Sequence, residues 1–224
     1  MDSEMTRNRR LEQTADGSST IYLPELDEHY HSVKGALTES MHVFVDSGLR
    51  RCPKAEVRVF EVGYGTGLNA ALTALNADGR RVDYYSVERF PLSIDDADAY
   101  AATLEPAVAE MLRRMNRAPW DEAVSVNDHF TLHKIAGDLT AAALPAPIDV
   151  VYFDAFAPEK QPEMWDETVF RRLYAAMADG AVLSTYCAKG VVRRRLQSVG
   201  FTVERLPGPP GGKREILRAI KKLM

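Results

Sequence analysis

Glu61-Val62-Gly63-Tyr64-Gly65-Thr66-Gly67-Leu68-Asn69 is the stretch that most restricts what this chain can become. A short apolar segment of strand character, Val57-Arg58-Val59-Phe60, runs into it, and a helical pattern leaves it. Glycines at alternate positions let the backbone turn sharply and let a ligand approach it closely. The helix N-terminus beyond them offers unpaired amide donors and positive potential. The rest of the chain repeats this strand-to-helix alternation. Strands are expected at Val57–Val62, Val82–Glu88, Phe130–Ala136, Ile148–Asp154, Ala181–Thr185, Phe201–Leu206 and Ile216–Ile220. Helices are expected near Leu68–Asn76, Ser93–Thr103, Ala107–Arg117, Glu163–Ala178 and Gly190–Ser198. Such alternation means parallel βα units, hence an α/β fold with an open, doubly wound sheet. Only Pro207-Gly208-Pro209-Pro210-Gly211-Gly212 separates the last two strands, so that pair should be antiparallel.

Residues 1–55 read differently and are expected as a small β-rich extension before a catalytic domain at 56–224. Asp16-Gly17 followed by Thr20-Ile21-Tyr22-Leu23 has the turn and flank of a hairpin. An amphipathic helix should run from Gly35-Ala36 to about Gly48.

The ligand is read from strand ends. Dinucleotide folds space their glycines G-x-G-x-x-G around a pyrophosphate. Here the spacing is G-x-G-x-G with Glu61 two residues ahead, which favours the nucleoside of S-adenosylmethionine in a class I methyltransferase fold but does not alone exclude a dinucleotide. Glu88 ends the second strand 27 residues after Glu61. A carboxylate there can accept from both ribose hydroxyls, which also suits NAD. Asp138 follows the third strand and can accept from an adenine amino group or cap the next helix. Asp154 ends the fourth strand, at the crevice where ligands of open α/β sheets bind. Methyl transfer to an amine needs a free, aimed lone pair, and a carboxylate can orient an amine and take its proton. Phe156, two residues on, could stack on an extruded base.

Charge excludes one class. Lys and Arg number 28 against 32 Asp and Glu, a net charge of −4, so a general nucleic-acid binder is not expected. The two cysteines, Cys52 and Cys187, have neither zinc nor disulfide-framework spacing, and Cys187 is expected as a buried thiol. His29-x-His31 and His129-x-x-x-His133 sit on strand-like stretches and suggest structural or surface roles, so no metal is expected. Met1–Arg10 has no apolar core of a leader peptide, and no run reaches the about 18 apolar residues of a membrane span. A cytoplasmic protein is expected, monomeric or a small homo-oligomer.

Several stretches together resemble one family. They are Thr14-Ala15-Asp16-Gly17-Ser18, Tyr30-His31-Ser32, Gly35-Ala36 with Glu39-Ser40, Phe60 through Asn69, and Ser86-Val87-Glu88-Arg89-Phe90-Pro91-Leu92. Others are Asp154-Ala155-Phe156-Ala157-Pro158 with Lys160, Pro162, Met164 and Trp165, Thr185-Tyr186-Cys187-Ala188-Lys189-Gly190, and Pro207 through Glu215. The chain thus resembles, nearly end to end, the methyltransferase that completes 5-methylaminomethyl-2-thiouridine in tRNA. In many bacteria that activity is half of a bifunctional protein whose other half is an FAD-dependent oxidase. The resemblance implies methyl transfer from S-adenosylmethionine to the primary amine of 5-aminomethyl-2-thiouridine at the wobble position. It implies Asp154 as the amine-handling carboxylate and Glu61, Gly63, Gly65, Gly67, Glu88 and Asp138 around the cofactor, with Glu39 and Asn69 as secondary candidates. Phe156, Pro158 and Lys160 would then face the substrate. No second glycine fingerprint follows, so a stand-alone form without FAD is expected.

From Lys189 onward there are ten Lys or Arg and two Glu. Lys189, Arg193, Arg194, Arg195, Lys213, Arg214, Lys221 and Lys222 are therefore expected to meet phosphates of a tRNA anticodon stem-loop, or else to be a solvated basic face. The rival enzyme readings are an aminopropyltransferase, which favours a Gly-Gly-Gly-Asp-Gly loop, and a small-molecule N-methyltransferase. The non-enzyme rival is a nucleotide-binding module without turnover.

Overall fold

The Asp16-Gly17 turn does fold as a hairpin, and its side chains explain why. A computed structural model describes residues 9–223; residues 1–8, where most of the leader-peptide reading falls, lie outside the described residues. Strands β1 (Arg10–Gln13), β2 (Ser19–Leu23) and β3 (Glu28–His29) form a small antiparallel sheet. At its turn the Asp16 carboxylate accepts from Thr14, from Ser18, and from both the amide and hydroxyl of Thr38. Burial alone would raise this acid's pKa, but those donors hold it far below the ordinary carboxylate range. The turn is thereby tied to the start of the next helix.

That helix is broken where a continuous one is expected. It divides into α1 (Ala36–Ser40), a π turn at Met41–Asp46 and a 3₁₀ turn at Leu49–Arg51. Val43, Phe44 and Val45 are all buried, three consecutive residues that one α-helical face could not bury together. At Gly48 a Cβ would lie 2.9 Å from the Tyr152 ring and 2.9 Å from Ser184 Oγ, so the segment lies directly on the main sheet. The 1–55 stretch and that sheet share one hydrophobic cluster.

The main sheet comprises β4 (Glu56–Val62), β5 (Arg81–Glu88), β6 (Ala123–Asn127), β7 (Phe130–Ala136), β8 (Ile148–Phe153), β9 (Met177–Thr185), β10 (Thr202–Pro207) and β11 (Glu215–Ile220). Its order is β10-β11-β9-β8-β4-β5-β7-β6. The stretch from β9 to β7 is parallel, β11 runs antiparallel to both neighbours as expected, and β6 is an antiparallel edge. Val57, Val59, Val150 and Tyr152 enter one hydrophobic cluster, and Phe60, Val62, Val151 and Phe153 the opposite one. Burial on both faces is why β8 reads as a continuous apolar run. Helices α2 (Leu68–Leu75), α3 (Ile94–Ala101), α4 (Pro106–Arg117), α5 (Glu167–Ala176) and α6 (Gly190–Val199) connect the strands.

Other elements also depart from the sequence reading. β6 is absent from it because this edge strand buries only Val126. The helix expected at Glu163–Ala178 is a 3₁₀ turn (Pro162–Trp165) followed by α5. Asp166 makes the break by accepting from the Thr168 amide at 2.9 Å as an N-cap. The residues after Ala176 join β9, so that strand starts earlier than expected. His31 and His129 lie outside strands. Among the described residues no helix is long and apolar enough to cross a membrane, and no group of three or more His, Cys, Asp or Glu could hold a metal ion.

Candidate active site

β4 and β8 are neighbours whose following helices lie on opposite faces of the sheet, which opens a crevice beyond their carboxyl ends. Gly63 begins there with φ +87°, and a Cβ on it would stand 3.0 Å from the Asp154 carbonyl oxygen. The bare glycine lets the two strand ends come together. Asp154 is held by its own amide on the Val62 carbonyl at 3.1 Å. The loop after it is pinned three times. Gln161 accepts from the Phe156 amide at 3.1 Å, the Trp165 indole donates to the Phe156 carbonyl at 2.7 Å, and the Tyr186 hydroxyl donates to the Ala155 carbonyl at 2.8 Å.

Two cavities meet at this loop. The first, about 300 Å³, lies over the ends of β4, β5 and β7 and takes in Gly63, Gly65, Glu88 and Asp138. The second, about 610 Å³, lies toward α1 and the β10–β11 loop and takes in Glu39, Pro158, Lys189, Lys213 and Arg214. Asp154, Phe156, Tyr30 and His31 border both. Tyr30 meets Phe156 edge-on at 5.4 Å between ring centres, so two aromatic side chains narrow the passage. His31 bonds Thr66 Oγ1 at 2.8 Å, and burial lowers its pKa to about 4, which keeps it neutral.

The acids behave differently from one another. Glu88 accepts from the Gly65 amide at 3.0 Å and the Phe90 amide at 2.8 Å, bracing the glycine turn beside the first cavity. Asp138 accepts from the Thr140 amide and hydroxyl with one oxygen and from Arg89 with the other, and the Thr140 bonds lower its pKa. Asp154 is half-buried. Burial and the charge of Glu39 push its carboxyl up to about 7, against the Asn69 donor and the Lys213 ammonium.

Four residues expected beside the cofactor do not line the first cavity. Glu61 shares the sheet face of Val57 and Val59, because side chains alternate along a strand. It is fully buried and lines neither cavity, taking donors from Ser86 Oγ at 2.6 Å and Asn69 Nδ2 at 3.0 Å. Asn69 is buried beside it. Gly67 caps α2 at φ +85°, and a Cβ there would meet the Tyr64 hydroxyl at 2.7 Å rather than a cavity. Glu39 belongs to the second cavity, where it accepts from Lys213 at 2.8 Å. Lys160 borders the first cavity, and Arg193 and Arg194 on α6 border neither.

The basic C-terminal stretch is less free than its sequence suggests. Lys189, Arg205, Lys213, Arg218 and Lys221 each face an acid. Lys221 is also buried, donating to the Met177 carbonyl, and Arg195 donates to the Trp165 carbonyl. Lys221, so buried, is not placed to meet a phosphate. Cys187 is buried, and burial pushes its thiol up. Tyr30 and Tyr186 are site residues without an individual signal in the sequence. The Tyr186 ring carries the Lys213 ammonium 3.8 Å from its centre.

Comparisons with known proteins fit this geometry. A structure titled as MNMC2 from Aquifex aeolicus superposes with a TM-score of 0.76 at 25% identity, over 97% of this chain and 73% of that one. The spermidine synthase of Thermotoga maritima shares the fold, with a TM-score of 0.61 at 15% identity over 98% of this chain and 71% of that one. The tRNA 5-methylaminomethyl-2-thiouridine biosynthesis bifunctional protein MnmC of Cupriavidus metallidurans is 34% identical over 223 residues, covering 92% of this chain and 33% of that protein. The chain thus spans about a third of the length of such relatives. The sequence model of a family described as S-adenosyl-L-methionine-dependent methyltransferase matches residues 100–222, more than half of the sequence, and the chain belongs to that family.

Proposed function

We propose that this chain methylates the primary amine of 5-aminomethyl-2-thiouridine at the wobble position of tRNA. The carrying observation is Asp154, a carboxylate of raised proton affinity where the two cavities meet. The first cavity fits the cofactor of the family. Gly63 and Gly65 present bare backbone to it, and a Cβ on Gly65 would lie 2.9 Å from Tyr30. Gly65 and Glu88 would hold the ribose, and Asp138 with Leu139 the adenine. Bound there, S-adenosylmethionine supplies a methyl group on a sulfonium. Asp154 accepts from the amine nitrogen, directs its lone pair toward the passage and takes the proton that transfer releases. Phe156 stacks on the pyrimidine in the second cavity, with Pro158 and Lys213 beside it. This substrate places the reaction in the cytoplasm.

Purified chain incubated with labelled S-adenosylmethionine and tRNA lacking the modification should place label in 5-methylaminomethyl-2-thiouridine, as read by nucleoside mass spectrometry. Label in a polyamine would favour an aminopropyltransferase instead, a reading that the spermidine synthase fold keeps in view.

The anticodon stem would lie across the rim of the second cavity. Lys160, Arg194 and Arg214 are exposed there or nearby and carry no ion pair among the described residues. Replacing all three by Ala should lower the slope of log affinity against log salt by about 2–3, since each phosphate contact contributes about 0.9. An unchanged slope would move the RNA to another face.

A further inference from the structure

Glu61 and Asn69 lie behind the cavity wall, yet they reach the reacting carboxylate. Asn69 Nδ2 donates to Glu61 Oε1 at 3.0 Å and to Asp154 Oδ2 at 2.8 Å. Its two amide hydrogens are thus divided between two carboxyl groups from adjacent strands. Its Oδ1 is buried without a partner. An orphaned buried acceptor is costly, and a half-turn of the amide would aim that oxygen at both carboxyl groups instead. The orientation is therefore fixed by Glu61 and Asp154 together. Ser86 Oγ bonds the other oxygen of Glu61 at 2.6 Å, so Glu61 cannot swing away to follow Asn69.

We propose that Glu61 and Asn69 form a positioning relay: Glu61 anchors the Asn69 amide, which holds Asp154 Oδ2 and leaves Oδ1 to face the junction of the cavities. The proposal rests on the reading of Asp154 as the amine-handling group. It assigns both residues to the substrate carboxylate rather than to the cofactor. Other charged and titratable groups also face Asp154 from the packed elements. They are Glu61 itself, whose carboxyl burial pushes up to about 8, Glu39 of α1, Lys213 of the β10–β11 loop and Tyr186 after β9, whose pKa is raised by burial and then by Asp154. Of all the groups around Asp154 the Asn69 amide and the Lys213 ammonium favour the ionised carboxylate, and of these two only Asn69 is bonded to it.

Carbon-13 NMR of the carboxyl groups, with the Asp154 signal identified by its loss in Asp154→Asn, tests the relay without any substrate. In Asn69→Leu the Asp154 titration should move upward by about one unit, as loss of a hydrogen bond to the charged form requires. Glu61→Leu, which leaves Asn69 in place but unanchored, should move it the same way by less. Affinity for S-adenosylmethionine should stay within about threefold in both, because neither side chain lines the cavity. In turnover, Asn69→Leu should cost about tenfold or more on the wild-type background and nothing further on the Asp154→Asn background. An unmoved titration in a folded Asn69→Leu, or in Asn69→Ala where leucine fails to fold, overturns the relay. A tenfold loss of cofactor affinity with the titration unmoved returns both residues to the cofactor. If tRNA is not methylated while the titration moves as stated, the relay stands and the substrate reading fails.

Discussion

Asp154→Asn binds S-adenosylmethionine with near wild-type affinity and turns over about 10²–10⁴-fold more slowly, the range for loss of a positioned general base. The substitution keeps size and shape, so the loop pinned by Gln161, Trp165 and Tyr186 remains in place. What disappears is an acceptor able to hold the amine and gain its proton. An alkylamine near neutral pH is mostly protonated and has no lone pair to offer. A carboxylate with ordinary acidity would be a poor partner for its proton. Burial and Glu39 raise the Asp154 carboxyl to about 7, which makes it a better one. The sign then follows for the wild type. The working form is ionised, so turnover rises as pH increases through about 7 and falls on the acid side. A carboxylate left in water would place that limb several units lower. Isothermal calorimetry for the cofactor and a pH series of label transfer to tRNA check both statements. Full turnover in Asp154→Asn would remove this residue from the chemistry.

Much of this site was legible in the sequence because its parts are local. A glycine turn, an acid ending a strand and an Asp followed by Ala-Phe-Ala-Pro each need only a few neighbouring residues to be read. The place of Glu61 was not legible, since Val57 and Val59 on one face and Phe60 and Val62 on the other are all buried and the apolar pattern of the strand marks neither face as the one turned to a ligand. What the sequence could not supply are partners brought together from afar. Lys213 and Glu39 are 174 positions apart, and their ion pair takes a cation from the basic tail into the second cavity. Lys221 is likewise drawn inside by the Met177 carbonyl, 44 positions away. Counting charge along the chain therefore overstated the free basic surface. The broken helices were missed for a related reason. The π turn at Met41–Asp46 is set by contact with the sheet beneath it, and helical spacing alone carries no record of that contact.

Glu88→Ala should weaken S-adenosylmethionine binding by about 100-fold, measured by calorimetry. Two losses combine. On the proposed reading a charged acceptor for the ribose goes, and hydrogen bonds to charged groups contribute about 1.5–3 kcal/mol each. The brace on the glycine turn goes as well, because Glu88 is what the Gly65 and Phe90 amides donate to. Glu88→Gln separates the two. The two carboxylate oxygens take the Gly65 and Phe90 amides one each, so the glutamine nitrogen must face one of these backbone donors and that bond is lost whichever way it turns. A loss between that of wild type and Glu88→Ala is expected. Glu88 stands at the first cavity and Asp154 at its junction with the second, and the two substitutions should therefore split cleanly. Glu88→Ala raises the cofactor requirement and leaves turnover at saturating cofactor within a few-fold, whereas Asp154→Asn does the reverse. Equal loss of both quantities in Glu88→Ala would mean that the glycine turn and the Asp154 strand end move together, through the close approach of Gly63 to the Asp154 carbonyl.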